Sequence, residues 1–137
     1  MAGDARQVPV VDELSRPHWE AAREGRLLIQ RCRSCGRHQF YPRPHCVHCS
    51  ARDPGWVEAK GTGRLHTFSV VHRTADPAFA ERVPYVFGVV ELDEGPRILA
   101  NLAGTPPDEL RCDLPVRVVF AWMTDEISLP DATPEGA

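Results

Sequence analysis

The chain has 137 residues, a formal net charge of −3, and 42% hydrophobic against 7% aromatic content. That length suits one ordinary domain, or a small metal module fused to one, and no apolar run is long enough to span a bilayer. The charge is uneven: residues 1–60 carry ten Lys/Arg against seven Asp/Glu, and residues 61–137 carry six against twelve. An acidic C-terminal half argues against a groove that grips nucleic-acid phosphates there.

The chain reads as an N-terminal segment (1–25), a cysteine-rich lobe (26–60), a small β-barrel (61–126) and a tail (127–137). Residues 1–14 are mixed, and are expected to be irregular or docked on a partner. Met1-Ala2-Gly3-Asp4-Ala5-Arg6 has neither the apolar core nor the small-residue cleavage pattern of a secretory leader. Ser15 to Gly25 predicts a short helix. Ser15 can cap it, Pro17 is tolerated in the first turn, and Gly25 fits the stop. So short a helix needs an apolar anchor. Trp19 is the obvious one, packed on this chain's own core or on another subunit.

Arg26 to Arg31 predicts a strand, and the densest signal follows it. Cys32-Arg33-Ser34-Cys35-Gly36 and Cys46-Val47-His48-Cys49-Ser50 form two C-x-x-C pairs with ten residues between them. A two-residue gap lets both thiolates of a pair reach one ion from a tight turn, and Gly36 can take the left-handed backbone such a turn needs. Cys32, Cys35, Cys46 and Cys49 together predict a closed, tetrahedral, structural Zn2+ site. Four thiolates complete the shell, so His38, His45 and His48 are expected outside it or in solvent. A cysteine-held metal implies a reducing compartment, the cytoplasm. The fifth cysteine, Cys112, is expected to be a small buried apolar residue.

Residues 38–45 carry two prolines and should run extended. Trp56 to Ala59 predicts a short strand, and Gly61-Thr62-Gly63 a turn. Beyond it come β-rich runs at Arg64–His72, Tyr85–Asp93, Arg97–Leu102 and Val116–Trp122, with a hairpin turn at Asp93-Glu94-Gly95-Pro96. The carboxylates of that turn are expected to be solvated. Pro106 to Leu110 reads as one helical turn. Gly88 inside a strand suggests a bulge or bend, and short strands without a long helix predict a five-stranded antiparallel barrel. Residues 129–137 look disordered.

No local signature joins a nucleophile to a base, which argues for a non-catalytic or accessory chain, with an active site shared across subunits left open. His66 and His72, an even number of residues apart, would share a strand face, as a polar pocket wall or an exposed face. The long connection from Arg73 to Pro84 carries Phe79 flanked by Arg73 and Arg82. It either contacts a partner or lines a substrate channel, the arginines answering phosphate or carboxylate, or it folds Phe79 back onto the barrel.

These motifs, in order, resemble one family. They are Trp19, Leu28-Ile29-Gln30-Arg31 with the first knuckle, Tyr41-Pro42-Arg43-Pro44-His45 with the second, Trp56, and Gly61 to Phe68. Val70-Val71-His72-Arg73, Pro84-Tyr85, Val90 to Arg97 and Pro115 to Phe120 complete the match. The chain is similar, from about Pro17 to Trp122, to the zinc-ribbon plus OB-fold proteins called domain of unknown function 35. His45 before Cys46 and Val47 after it depart from the common pattern without touching a ligand. The resemblance implies a mainly β chain, with a rubredoxin-like ribbon and an OB-fold. It implies the small subunit of a hetero-oligomer, in which a thiolase-like partner handles an acyl-CoA substrate. The chemistry would be carbon–carbon bond formation or retro-aldol cleavage, and an actinobacterial steroid side-chain aldolase is one specific form. Two other readings compete. One is a single-stranded nucleic-acid binder that stacks bases on Phe68, Tyr85, Phe87 and Trp122, although aromatics in β-rich runs are usually core and the acidic half opposes it. The other is an autonomous acyl-CoA binder or hydrolase.

Overall fold

A computed structural model describes residues 6–136. The helix forms as α1, Arg16–Arg23. Its start differs from the reading above: Ser15 is itself helical in backbone and makes no side-chain cap. Its hydroxyl and amide both donate to Asp12 Oδ1, at 2.7 and 2.8 Å, so Asp12 organises the entry one turn earlier. The stop is as expected. Gly25 sits at φ +76°, its amide bonds Ala22 and that of Arg26 bonds Ala21, which satisfies the last carbonyls. The buried face is His18, Ala21 and Ala22; Trp19, the expected anchor, is only half-buried.

The ribbon is a three-stranded sheet of β1 (Leu28–Arg31), β2 (His38–Gln39) and β3 (Gly55–Glu58), with β1 central. The second sheet holds β4 (Thr62–Val71), β5 (Tyr85–Leu92), β6 (Arg97–Asn101), β7 (Pro115–Trp122) and β8 (Ser128–Pro134), in the order β6-β5-β4-β7-β8. All its pairings are antiparallel. A parallel bridge from Leu102 to Ala132 brings the two edges together, so the sheet nearly closes into an OB-type barrel. Single 3-10 turns at Pro77–Phe79 and Pro107–Glu109 interrupt the connections. Among the described residues no helix is long and apolar enough to cross a membrane.

Ribbon and barrel share one core. Leu27, Ile29 and Ala59 pack in the same cluster as Leu65, Val86, Val90, Ile98, Val116 and Ala132. Each large aliphatic side chain so buried contributes about 1.5–3 kcal/mol.

Several local expectations are corrected. Residues 129–134 are not disordered, because they belong to β8, which pairs with β7 from Val116–Pro134 to Trp122–Ser128, while residue 137 lies outside the described residues. β8 is the fifth barrel strand. The turn at 61–63 is shorter than expected: β4 begins at Thr62, and only Gly61, at φ +80°, turns. The bulge lies not at Gly88 but on the neighbouring strand, between Leu65 and Thr67 of β4, opposite Val90 and Val89. It switches the inward set from Gly63 and Leu65 to Phe68 and Val70. It therefore also breaks the parity that would put His66 and His72 on one face; both are exposed, and His72 lies beyond the strand. Gly88 serves a different need, since a Cβ there would stand 2.7 Å from Leu102 Cδ2 and 2.9 Å from Leu65 Cδ1. Cys112 is exposed, not buried. Phe87 and Trp122 are not core either, at 40% and 51% exposure. Nor is the hairpin turn fully solvated: Glu94 accepts the Lys60 amide at 2.8 Å, and Asp93 accepts the Thr62 hydroxyl, which ties the hairpin to the ribbon–barrel junction.

Gly63 is required by close approach alone. It pairs with Leu92, and a Cβ would collide with the backbone carbonyl of Glu91. Backbone cannot step aside as a side-chain tip can, so Gly63→Ala is expected to destabilise the chain by about 3 kcal/mol. Denaturant unfolding measures this; a loss below about 1 kcal/mol would contradict the packing.

Candidate metal centre and aromatic seam

The two knuckles repeat one backbone design. Cys32 N–H bonds Arg37 O at 2.9 Å and Gly36 N–H returns to Cys32 O at 3.1 Å. Cys46 N–H bonds Ala51 O at 2.8 Å and Ser50 N–H returns to Cys46 O at 3.0 Å. The left-handed position is Gly36 in the first turn, at φ +76°, and Ser50 in the second, at φ +67°. Glycine signalled only the first of these in the sequence.

The turns gather Cys32, Cys35, Cys46 and Cys49 with all four sulfurs within 4.8 Å of one another. Cys32 and Cys49 sulfurs are 3.5 Å apart, and those of Cys35 and Cys46 are 3.7 Å apart. Four ligands on bonds of about 2.3 Å would place tetrahedral sulfurs about 3.8 Å apart, so the cluster fits one metal ion. These gaps are far beyond the ~2 Å of a disulfide. Backbone amides also point at the sulfurs: Ser34 and Cys35 donate to Cys32 Sγ at 3.3 Å, and His48 donates to Cys46 Sγ at 3.3 Å. The Cys35 amide, helped by that of Ser34, outweighs burial and holds the Cys32 thiol down to about 6, while the Cys32 sulfur, against the Ala51 amide, pushes the Cys49 thiol up to about 11. No histidine belongs to the sulfur cluster; His48 Nε2 lies 3.2 Å from the His38 carbonyl.

A buried glutamine pair supports the second knuckle, and sequence reasoning missed it. Gln30 and Gln39 oppose each other on β1 and β2, 2% and 4% exposed. Gln39 Nε2 donates to Gln30 Oε1 at 2.8 Å and to His45 O at 3.1 Å, while Gln39 Oε1 takes the Val47 amide at 2.8 Å. Gln30 bonds both the amide and the carbonyl of Arg43, at 2.9 and 3.0 Å. Two side chains thus satisfy the backbone of the irregular segment that delivers Cys46. The available signal was Gln30 closing the run Leu27-Leu28-Ile29, a polar residue where a strand should be buried.

The helix, ribbon and barrel meet in an aromatic seam. The His18 ring lies 4.7 Å from Trp19 and 5.1 Å from Phe40, and the rings of Phe40 and Tyr41 are 4.5 Å apart. The Leu28 carbonyl, 3.3 Å from His18 Nδ1, can only accept, so Nδ1 carries the proton. Burial pushes the His18 pKa down, only partly opposed by that bond. The unfolded chain therefore binds a proton below about pH 6.5 that the folded chain refuses. Stability should be complete above that pH and fall by up to about 1.4 kcal/mol per unit below it. His18→Gln should flatten this slope between pH 5 and 7 in denaturant titrations; an unchanged slope would show that His18 is not its source.

Of the other candidates, Trp19 lines a cavity in this seam, whereas Arg73, Phe79 and Arg82 do not. Arg73 and Arg82 are exposed, and Phe79 is half-buried, its ring 5.1 Å from Tyr85 at 31°. The Phe79 ring thus rests partly on Tyr85, the first residue of β5, with part of its surface still open.

Ribbon, tetrathiolate cluster and five-stranded barrel define the class, a zinc-ribbon plus OB-fold protein. The family models agree: the ChsH2 rubredoxin-like zinc ribbon domain matches residues 19–55, and the ChsH2 C-terminal OB-fold domain matches residues 56–121. The chain belongs to the DUF35/ChsH2 family. It is 38% identical over 125 residues to a probable enoyl-CoA hydratase alpha subunit of Thermomonospora curvata, covering 91% of this chain but 39% of that one. It therefore spans about two fifths of that relative's length. It is 32% identical to a DUF35 domain-containing scaffold protein of Methanocaldococcus jannaschii, over 84% of this chain and 82% of the relative. It is 31% identical to the benzoylsuccinyl-CoA thiolase subunit BbsA of Thauera aromatica, over 77% and 73%. Among solved structures, a chain of an Ltp2-ChsH2(DUF35) aldolase superposes with a TM-score of 0.82 at 38% identity, over 93% of this chain and 98% of that one.

Proposed function

We propose that this chain is a non-catalytic scaffold subunit that binds and supports a thiolase-fold enzyme acting on an acyl-CoA substrate. The observation that carries this reading is the end-to-end likeness to one chain of an aldolase assembly, 98% of that chain at a TM-score of 0.82. The thiolase subunit among the relatives supports the same partner class. The partner would supply the chemistry, carbon–carbon bond formation or retro-aldol cleavage, and a steroid side chain is one candidate substrate. The ion is Zn2+ by donor chemistry, since four soft thiolates in a tetrahedron suit it, and it serves structure in a reducing cytoplasm. Trp19, Arg73, Phe79 and Arg82 are the candidate partner or substrate-channel residues. A hydratase partner is the second reading, favoured by the identity to the Thermomonospora curvata subunit.

Co-expression with the thiolase-fold protein encoded nearest to it tests the proposal. The two should co-elute, and acyl-CoA cleavage or condensation should depend on this chain. Deleting residues 76–82 should weaken the complex. A partner that works equally well alone, or never co-elutes, would refute the reading.

A further inference from the structure

The ribbon carries charge that its own chain does not answer. Residues 26–60 hold seven Lys/Arg against two acidic residues, Asp53 and Glu58. Glu58 is taken by Arg26 at 3.0 Å. Arg31, Arg33, Arg37, Arg43 and Arg52 are exposed, and none has an ion-pair partner among the described residues. Such a lobe draws anions from solution.

Two of these arginines are held in place. Arg31, the last residue of β1, donates from Nε to Gly36 O at 3.1 Å, and Arg33, in the first knuckle, donates from Nε to Asp53 O at 3.0 Å. Their guanidiniums lie on one face of the ribbon. Arg31 pairs with Gly55 across β1 and β3, so both positions face the same side of the sheet, and a Cβ on Gly55 would stand 3.4 Å from Arg33 Cζ. Together with Ser34 they line an open cavity of about 520 Å3, and no carboxylate lines it. With each Nε engaged by a carbonyl, the terminal nitrogens of both forks remain as donors. The sulfurs do not use them: Cys32 Sγ takes the amides of Ser34 and Cys35, Cys46 Sγ takes that of His48, and no guanidinium bonds a sulfur among the described residues.

These facts specify a ligand. A fork already fixed by its Nε loses little freedom on binding. Two fixed forks over one cavity suit a single group with two negative charges and several acceptor oxygens. A carboxylate brings one charge and two oxygens, and a phosphodiester inside a nucleic-acid strand brings one charge. A phosphomonoester brings close to two charges near pH 7 and three terminal oxygens. In acyl-CoA the phosphomonoester is the 3′-phosphate of the nucleotide. We infer that Arg31 and Arg33 hold the 3′-phosphate of the CoA substrate, so that the ribbon grips the nucleotide end while the partner handles the acyl end. The name of the ligand rests on the function proposed above; the preference for a phosphomonoester does not.

The test is calorimetric titration of the full, metal-loaded chain with CoA, dephospho-CoA and inorganic phosphate at one ionic strength. CoA should bind saturably, and about tenfold more tightly than dephospho-CoA, which lacks only the 3′-phosphate. Arg31→Gln and Arg33→Gln should each bring CoA down to the level of dephospho-CoA and leave dephospho-CoA where it was. Arg33→Lys, which keeps the charge and loses the fork, covers the case of a glutamine variant that sheds its metal; it should weaken CoA about threefold. No saturable binding, no preference for CoA over dephospho-CoA, or a preference that survives these substitutions overturns the site. Inorganic phosphate as tight as CoA, or displacement of CoA by a single-stranded oligonucleotide, overturns the ligand. In the assembled complex Arg33→Gln should raise KM for the acyl-CoA about tenfold. A complex that turns over with KM unmoved overturns the substrate contact and leaves the scaffold reading standing. A chain that shows the CoA preference yet joins no thiolase-fold subunit keeps the phosphate site and sinks the scaffold reading.

Discussion

Cys46→Ser is expected to empty the four-sulfur site and unfold the ribbon. Structural zinc in small peptides contributes about 10–16 kcal/mol of apparent folding energy, as much as an ordinary domain's whole stability of about 5–15 kcal/mol. Cys46 is a severe place to lose a ligand: it is 3% exposed, it accepts the His48 amide, and it lies 3.7 Å from Cys35. The loss should not stop at the ribbon, because Leu27, Ile29 and Ala59 belong to the core cluster of the barrel. Metal analysis should fall from one ion per chain towards none, with the cooperative thermal transition lost or greatly lowered. Cys112→Ser, at an exposed thiol outside the cluster, should stay within about 0.5 kcal/mol of the parent. Full metal content and an unchanged transition in the Cys46 variant would remove the site.

Deleting residues 127–137 is expected to abolish the folded barrel, though the segment looks dispensable in sequence. β8 pairs with β7 along its whole length, and Ala132 and Ile127 are 0% and 3% exposed. Without β8, β7 becomes an open edge, the Leu102 bridge is lost, and Asp131 no longer meets Arg6. The loss should exceed about 5 kcal/mol, the lower end of a domain's total stability. The truncated chain should show no dispersed NMR spectrum, whereas removing residues 136–137 alone, beyond the Glu135–Pro115 hydrogen bond, should be neutral. A truncated chain that keeps a cooperative transition would show that the strand is an ornament.

What was legible in the sequence was local. Two C-x-x-C turns put four thiolates within reach of each other because the spacing itself sets the geometry. Runs of β-formers located β4 to β7 closely, and Gly25 marked the helix end, since each depends on a few adjacent residues. Ser15, by contrast, lost the cap to Asp12, because a side chain bonds whichever neighbour the folded turn presents.

The amino-acid order by itself determined the four-cysteine cluster, most of the strands and the family, all of them readable within a few dozen residues of chain. Only the tertiary structure decided that Leu129-Pro130-Asp131-Ala132 is a strand, for its composition reads as loop and its partner β7 must be in place before pairing satisfies its backbone. Only the tertiary structure exchanged Trp19 for His18 as the buried anchor, set Gln30 against Gln39, and opened the cavity between β6 and β8. Burial, register and seam closure belong to pairs of segments far apart in the chain, and their free energy exists only once both have arrived.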